Sequence, residues 1–195
     1  MSSERVAMLG GSFDPVHIGH LFIAEEARIR FQYDRVLFVP AAHSPHKADS
    51  SVAAADDRLQ MLQLAIAGNE SFSIDSWELE QGGVSYTIDT MRHFSQRYRQ
   101  RVGLIIGDDL VESFERWREA RQLVQLADVM VARRDDRPLP QLLSSARAID
   151  NSPLAVSSSM IRERIGRGAA FRYLVPDDVF TYIRQQNLYG SLNSG

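Results

Sequence analysis

The chain has 195 residues, no cysteine, a formal net charge of −3, and 44% hydrophobic and 24% charged side chains. That length suits one domain over 1–195 with a sizeable core, and the missing cysteines exclude a disulfide framework, a thiolate zinc site and a cysteine nucleophile. No run of about 18 apolar residues could span a bilayer, residues 1–5 lack signal-peptide character, and the mild acidity excludes broad, non-specific nucleic-acid binding.

A soluble cytoplasmic protein is therefore expected, in which local cations hold any anionic ligand. Residues 6–9 form a short apolar run that ends at Gly10-Gly11, which predicts a buried strand and then a turn. Residues 20–30 carry helical spacing, and 36–39 predict a second buried strand, stopped by Pro40. Residues 41–51 are a polar loop. Asp56 is placed to cap a helix running to about residue 67. Residues 72–75 and 77–79 read as strand, Gly82-Gly83 as a turn, and 86–99 as helix. Residues 102–106 are the cleanest buried strand, followed by helical patterns through 127 and a strand at 129–132. A charged loop spans 133–140, and a last strand falls near 148–149 or 154–156. Helices over 158–167 and 176–186 close the chain, with Pro176 in the first turn of the second. Strands alternating with helices predict an α/β, Rossmann-like, mostly parallel sheet with helices on both faces and a short helical C-terminal part. In such sheets ligands bind beyond the strand C-ends, so the loops after residues 9, 39 and 106 are the places for a site.

The loop after the first strand reads Gly10-Gly11-Ser12-Phe13-Asp14-Pro15-Val16-His17-Ile18-Gly19-His20. Two glycines let backbone approach a ligand and permit an anion nest. His17 and His20 lie three apart where a helix begins, and a helix N-terminus favours anions. Gly19 leaves room between the imidazoles. Together these residues suit a phosphate site with two imidazole donors, set against an ordinary glycine turn or half of a metal site. The spacing fits neither a Walker loop nor a dinucleotide fingerprint.

Further along, Ser157-Ser158-Ser159 opens a helix with Arg162 one turn in. That spacing serves as a plain serine cap or gathers hydroxyls, free N–H groups and a guanidinium on a triphosphate. Gly107-Asp108-Asp109 follows the cleanest strand, as a turn with a capping carboxylate or as part of a site. Lys47 is the only lysine among 22 Lys and Arg residues, and it stands beside His46. Arg164 and Arg167 read as solvated surface, and Trp77 as core.

The first motif resembles the signature of the HxGH nucleotidyltransferase superfamily, and the later ones are most similar to bacterial nicotinate-mononucleotide adenylyltransferases. The resemblance covers nearly the whole chain, in order. It implies adenylyl transfer from ATP to nicotinate mononucleotide, giving nicotinate adenine dinucleotide and pyrophosphate in NAD biosynthesis. ATP would meet Gly10, Gly11, Ser12, Phe13, His17 and His20, with Ser158, Ser159 and Arg162 on the β- and γ-phosphates. Gly107 would admit the nucleotide, and Asp109 would hold its ribose, leaving Asp108 at a variable surface position. His46 and Lys47 resemble a loop that closes over the site. Tyr86, Thr87 and Trp117 would take the pyridine end, and Arg134 the mononucleotide phosphate. The departures are Asp135-Asp136 after Arg134, where the family has Pro-Gly, and Phe114-Glu115-Arg116 before Trp117.

The nucleophile in that reaction is a phosphate monoester, already ionised near neutrality, so no general base is required. Catalysis then rests on His17, His20 and Arg162 holding the reactants in line and stabilising charge, with Mg²⁺ carried by the ATP phosphates rather than by a protein metal site. Nicotinamide mononucleotide or phosphopantetheine as acceptor remains an alternative. So does a non-catalytic nucleotide-binding regulator, or a metal module built on His17, His20, His43 and His46. Homo-oligomerisation is left open.

Overall fold

The computed structural model describes residues 4–43, 53–133, 137–149 and 154–190. Six parallel strands form one sheet: β1 (Val6–Gly11), β2 (Arg35–Pro40), β3 (Phe72–Ile74), β4 (Val102–Gly107), β5 (Ala127–Ala132) and β6 (Arg147–Ile149), in the order β3-β2-β1-β4-β5-β6. Every pairing is parallel. The chain winds outward from β1 to one edge and then returns to build β4 on β1's other side. The β1/β4 junction is therefore the switch point of the sheet, where a crevice opens beyond the strand C-ends.

The strands are apolar on both faces because helices cover both. Ala7, Leu9, Val36, Phe38 and Ile105 point into one core with α1 (Ile18–Phe31), α2 (Ala55–Ile66), α7 (Ser158–Gly166) and α8 (Asp177–Gln185). The alternate residues Val6, Met8, Leu37, Val39, Leu104 and Ile106 enter the other core, with α4 (Thr87–Tyr98) and α6 (Ala120–Leu126). This period-two division of continuous apolar runs is what a doubly covered parallel strand requires.

Several local expectations change. Gly10 and Gly11 do not turn the chain: they are the last two residues of β1, in register with Val39 and Pro40. Extended backbone in a ladder does not form the expected nest; the left-handed residue is Phe13, at φ 49°. Residues 77–79 are helical, as α3 (Trp77–Gln81), not strand. The Asp75 carboxylate accepts the Trp77 N–H at 3.1 Å and starts the helix, overriding the Trp-x-Leu alternation. Trp77 is half-buried and stacks on His93 at 4.7 Å rather than lying in the core. Asp56 sits in the first turn of α2, with Ala54 at the cap, where its charge still complements the helix dipole. Pro176 is the cap of α8 rather than its first residue. The helical patterns expected through residue 127 resolve into α5 (Asp108–Val111), a 3₁₀ turn at Phe114–Arg116, and α6. Glu119, left-handed at φ 53°, separates the last two. Of the two candidates for the last strand, Arg147–Ile149 pairs with β5.

Two glycines test this packing with opposite signs. A Cβ on Gly103, in the middle of β4, would stand 2.7 Å from Met130 Cε and Tyr33 Oη, whereas one on Gly166 would meet nothing within 4 Å. Gly103→Ala is expected to destabilise by about 1–3 kcal/mol through overpacking. Gly166→Ala, at the end of α7, is expected to stabilise by roughly 0.5–1 kcal/mol. Urea denaturation of the two variants measures both; equal effects would contradict this account of the sheet's tight centre.

Candidate active site

A cavity of about 860 Å³ opens at the switch point, lined by the C-terminal ends of β1 and β4 and the starts of α1, α4, α5 and α7. That volume is at the upper end for small-molecule sites. Its floor carries Gly10, Gly11, Ser12 and Phe13. One wall holds His17, Gly19, His20 and Ser157 to Ser159; the opposite wall holds Glu78, Tyr86, Thr87, Trp117 and Arg118. Gly107, Asp108 and Asp109 lie at the end of β4 between the two walls.

His17 caps α1 and is buried, while His20 lies one turn in and is partly exposed. The rings stack on each other, centroids 3.7 Å apart and planes 22° apart. The expected gap between the imidazoles is therefore absent. Gly19 makes room elsewhere: a Cβ there would come 2.8 Å from Val156 Cγ1 and 3.1 Å from His17 Nδ1. The backbone N–H of His17 donates to His20 Nδ1 at 3.2 Å. An acceptor nitrogen carries no proton, so the His20 proton sits on Nε2 and the ring offers that N–H as a donor.

The loop that carries these rings is tied down by buried polar contacts. Asp14, 2% exposed, accepts the Tyr189 hydroxyl at 2.6 Å and the Ala53 N–H at 3.0 Å. Arg58, 3% exposed, donates to the carbonyls of Ser12 and Ala41 at 2.9 and 2.8 Å, joining the exits of β1 and β2. Burial lowers the pKa of its guanidinium, and the Asp14 carboxylate opposes that. Burial likewise raises the pKa of the Tyr189 hydroxyl, reinforced by Asp14.

At the start of α7 the arrangement differs from the expected convergence. Ser157 is the cap, the alternative reading of the serine run, and its hydroxyl oxygen accepts the Met160 N–H at 3.2 Å. The Ser158 hydroxyl is buried and donates to the Pro15 carbonyl at 2.9 Å. The amides of Ser158 and Ser159, with no acceptor inside the helix, are the donors this wall offers. Arg162 does not line the cavity: it donates to the Asp14 carbonyl at 2.6 Å and reaches Ser159 Oγ at 3.4 Å. Of the two aspartates after β4, Asp109 is exposed in the cavity. Asp108, expected at the surface, is mostly buried and pairs with Arg133 and Arg137 at 3.5 and 3.6 Å. Arg164 donates to the Ala170 carbonyl at 2.6 Å, and exposed Arg167 pairs with Glu163.

On the far wall, Tyr86 caps α4 and Thr87 is its first residue. Trp117 is not helical but extended, just after the 3₁₀ turn, with its ring 5.1 Å from Phe114. Ser85 joins three segments: its hydroxyl oxygen accepts the Ala42 N–H at 3.0 Å, its own N–H donates to the His43 carbonyl at 3.0 Å, and its hydroxyl bonds Glu78. Glu78 also accepts the Thr90 hydroxyl at 2.5 Å. Neither Glu78 nor Arg118 stands out in the sequence, where both resemble ordinary surface charges. His46, Lys47 and Arg134 lie outside the described residues, as do Asp135 and Asp136. Among the described residues, no three His, Asp or Glu side chains cluster as a metal cage.

A switch-point crevice with paired imidazoles at one helix start and a serine-capped helix beside it defines a nucleotidyltransferase, and the comparisons agree. The model of the cytidylyltransferase-like family matches residues 8–164. A probable nicotinate-nucleotide adenylyltransferase of Borrelia garinii is 37% identical over 188 residues, covering 95% of this chain and 94% of its own. One from Herpetosiphon aurantiacus is 40% identical over 196 residues, covering 95% and 98%. In fold, the Plasmodium falciparum nicotinic acid mononucleotide adenylyltransferase complexed with APC superposes with a TM-score of 0.79 at 17% identity, covering 95% of this chain and 97% of that one. The chain belongs to the cytidylyltransferase-like family and, within it, to the nicotinate-nucleotide adenylyltransferases.

The buried Glu78 makes the far wall sensitive to pH. Burial raises its pKa above the ordinary value of 4.5, against the pull of the Thr90 and Ser85 hydroxyls. A folded-state pKa above the unfolded one means stability that is complete below the unfolded value and is lost as pH rises through the folded one. Glu78→Gln cannot ionise, so its stability relative to the parent is expected to rise as pH increases above the ordinary carboxylate value of 4.5. Thermal unfolding across that range tests it; a difference independent of pH would show that Glu78 titrates normally.

Proposed function

We propose that the cavity transfers the adenylyl group of ATP to nicotinate mononucleotide. The observation that carries this reading is one continuous cavity with phosphate-type donors on one wall and an aromatic, hydroxyl-lined pocket on the other. The acceptor's phosphate oxygen forms a bond to the α-phosphorus of ATP, the bond from that phosphorus to the bridging oxygen breaks, and pyrophosphate leaves with its electron pair. The acceptor phosphate is already ionised, so the chain must align and stabilise rather than deprotonate.

In this reading His20 donates its Nε2–H to the α-phosphate, and His17 holds the ring from behind at stacking distance. The Ser158 and Ser159 amides and the dipole of α7 receive the β- and γ-phosphates. Arg162 reaches those phosphates by rotating away from the Asp14 carbonyl. Gly10, Gly11, Ser12 and Phe13 floor the nucleotide, Gly107 gives it space, and Asp109 takes the ribose. Tyr86, Thr87 and Trp117 bind the pyridine, with His46, Lys47 and Arg134 contributing from the two neighbouring loops. The lining around the imidazoles is poor in carboxylates, which fits Mg²⁺ brought on the ATP phosphates. Bound there, the ion would neutralise charge on the leaving pyrophosphate. We place the reaction in the cytoplasm; no helix of the described residues is long and apolar enough to cross a membrane.

Pyrophosphate release with Mg-ATP tests the reading, run in parallel on nicotinate mononucleotide, nicotinamide mononucleotide and phosphopantetheine. Strong preference for the first is expected; no release with any acceptor from folded protein would reject it. His20→Ala is expected to lower kcat by about 10²–10³-fold, the scale of one lost transition-state donor. Unchanged turnover in the folded variant would remove His20 from the mechanism.

A further inference from the structure

We infer that Arg118 is the residue by which this chain selects an acidic over an amide pyridine mononucleotide, an inference that rests on the acceptor proposed above. Arg118 lines the cavity beside Trp117. Its guanidinium carbon stands 4.7 Å over the Tyr86 ring, at the cap of α4, so the cation sits above the start of the helix that carries Thr87.

Arg118 is held there loosely. It lies 3.4 Å from Asp89 Oδ2 and 3.9 Å from Glu119 Oε1, and its side chain is half exposed. Such pairs contribute little on their own. The same two carboxylates also meet Arg92, which is closer than Arg118 to Glu119, at 2.5 Å, and equally distant from Asp89, at 3.4 Å. If Arg118 turns toward a ligand, Asp89 and Glu119 keep Arg92 and are not left bare. The cluster therefore contains one arginine that is committed and one that can be exchanged.

The exchange favours an acid. A pyridine carboxylate accepts two parallel N–H bonds from a guanidinium, the planar fork geometry that makes arginine selective. A carboxamide brings no charge, and its NH₂ meets a group that has only donors. The amide's carbonyl oxygen can accept an N–H, but without charge and without the second parallel bond, so the amide gains far less than the acid from drawing Arg118 away from Asp89. An interaction of this kind, partly exposed to solvent, is expected to discriminate by about 10–100-fold.

The test separates binding from reaction. Calorimetry gives the Kd of nicotinate mononucleotide and of nicotinamide mononucleotide for the parent chain, Arg118→Met and Arg118→Lys. In Arg118→Met, which keeps an apolar stem over Tyr86, the acid is expected to bind about 10-fold or more weakly, while the amide shifts by less than about threefold. Arg118→Lys, a cation without the fork, should recover part of the loss. Raised salt should narrow the acid preference of the parent chain. An unchanged acid-to-amide ratio in Arg118→Met, or equal weakening of both ligands, would overturn the inference and leave Arg118 as a packing residue. Pyrophosphate release by the parent chain decides the reaction separately, so a chain that binds the acid through Arg118 but releases no pyrophosphate would refute only the proposed function.

Discussion

The buried clamp on the loop after β1 is the constraint on which the rest of the site depends. A parallel sheet brings its strand ends to one edge but does not fix what leaves them. Here Arg58, from α2, reaches across the exits of two neighbouring strands and binds the Ser12 and Ala41 carbonyls. Asp14 binds the Ala53 N–H just before the same helix and the Tyr189 hydroxyl from the end of the described chain. Both groups are almost fully buried, and each would be costly there without partners. The loop is therefore over-determined: moving it would strand a guanidinium and a carboxylate together. This is how 195 residues place two imidazoles at a helix start in one geometry.

The clamp also explains why the wall proposed to take the phosphates offers backbone amides more than side chains. Ser158 holds Pro15 through its hydroxyl, and Arg162 holds the Asp14 carbonyl. Helix α7 is thereby docked onto the same loop as α1. Two helix N-termini then face one cavity, where their dipoles favour an anion. The positive field comes largely from fixed backbone, which suits a chain whose net charge is −3. It also needs little reorganisation when charge moves onto a leaving group.

How much of this was legible in the sequence follows from what kind of signal each feature leaves. Buried parallel strands leave continuous apolar runs, so β1, β2, β4 and β5 could be placed within a residue or two. The His-x-x-His spacing, the serine cap and the Ser-Tyr-Thr segment are local, and the structure brings His17, His20, Ser158, Tyr86, Thr87 and Trp117 to one cavity. Features set by tertiary partners were not legible. Trp77 alternates like a strand residue, and only the Asp75 carboxylate makes it start a helix. Gly10-Gly11 has the composition of a turn, and only pairing with β2 keeps it extended. Glu78 and Arg118 look like solvent-facing charges, because nothing in a one-dimensional pattern shows that Thr90 and Tyr86 will meet them.

The two walls of the cavity are built by different physics, and this divides their roles. The imidazole wall is short-range: a cap, its first turn, and a loop whose carbonyls are already bonded. A substitution there disturbs backbone that several elements share. The opposite wall is an assembly of side chains from separate segments: Ser85 bridging Ala42 and Glu78, Arg92 holding Asp89 and Glu119, and Arg118 resting on Tyr86. In the proposed reading, nucleotidyl transfer rests on the wall built from helix starts and recognition of the acceptor on the wall built from side chains.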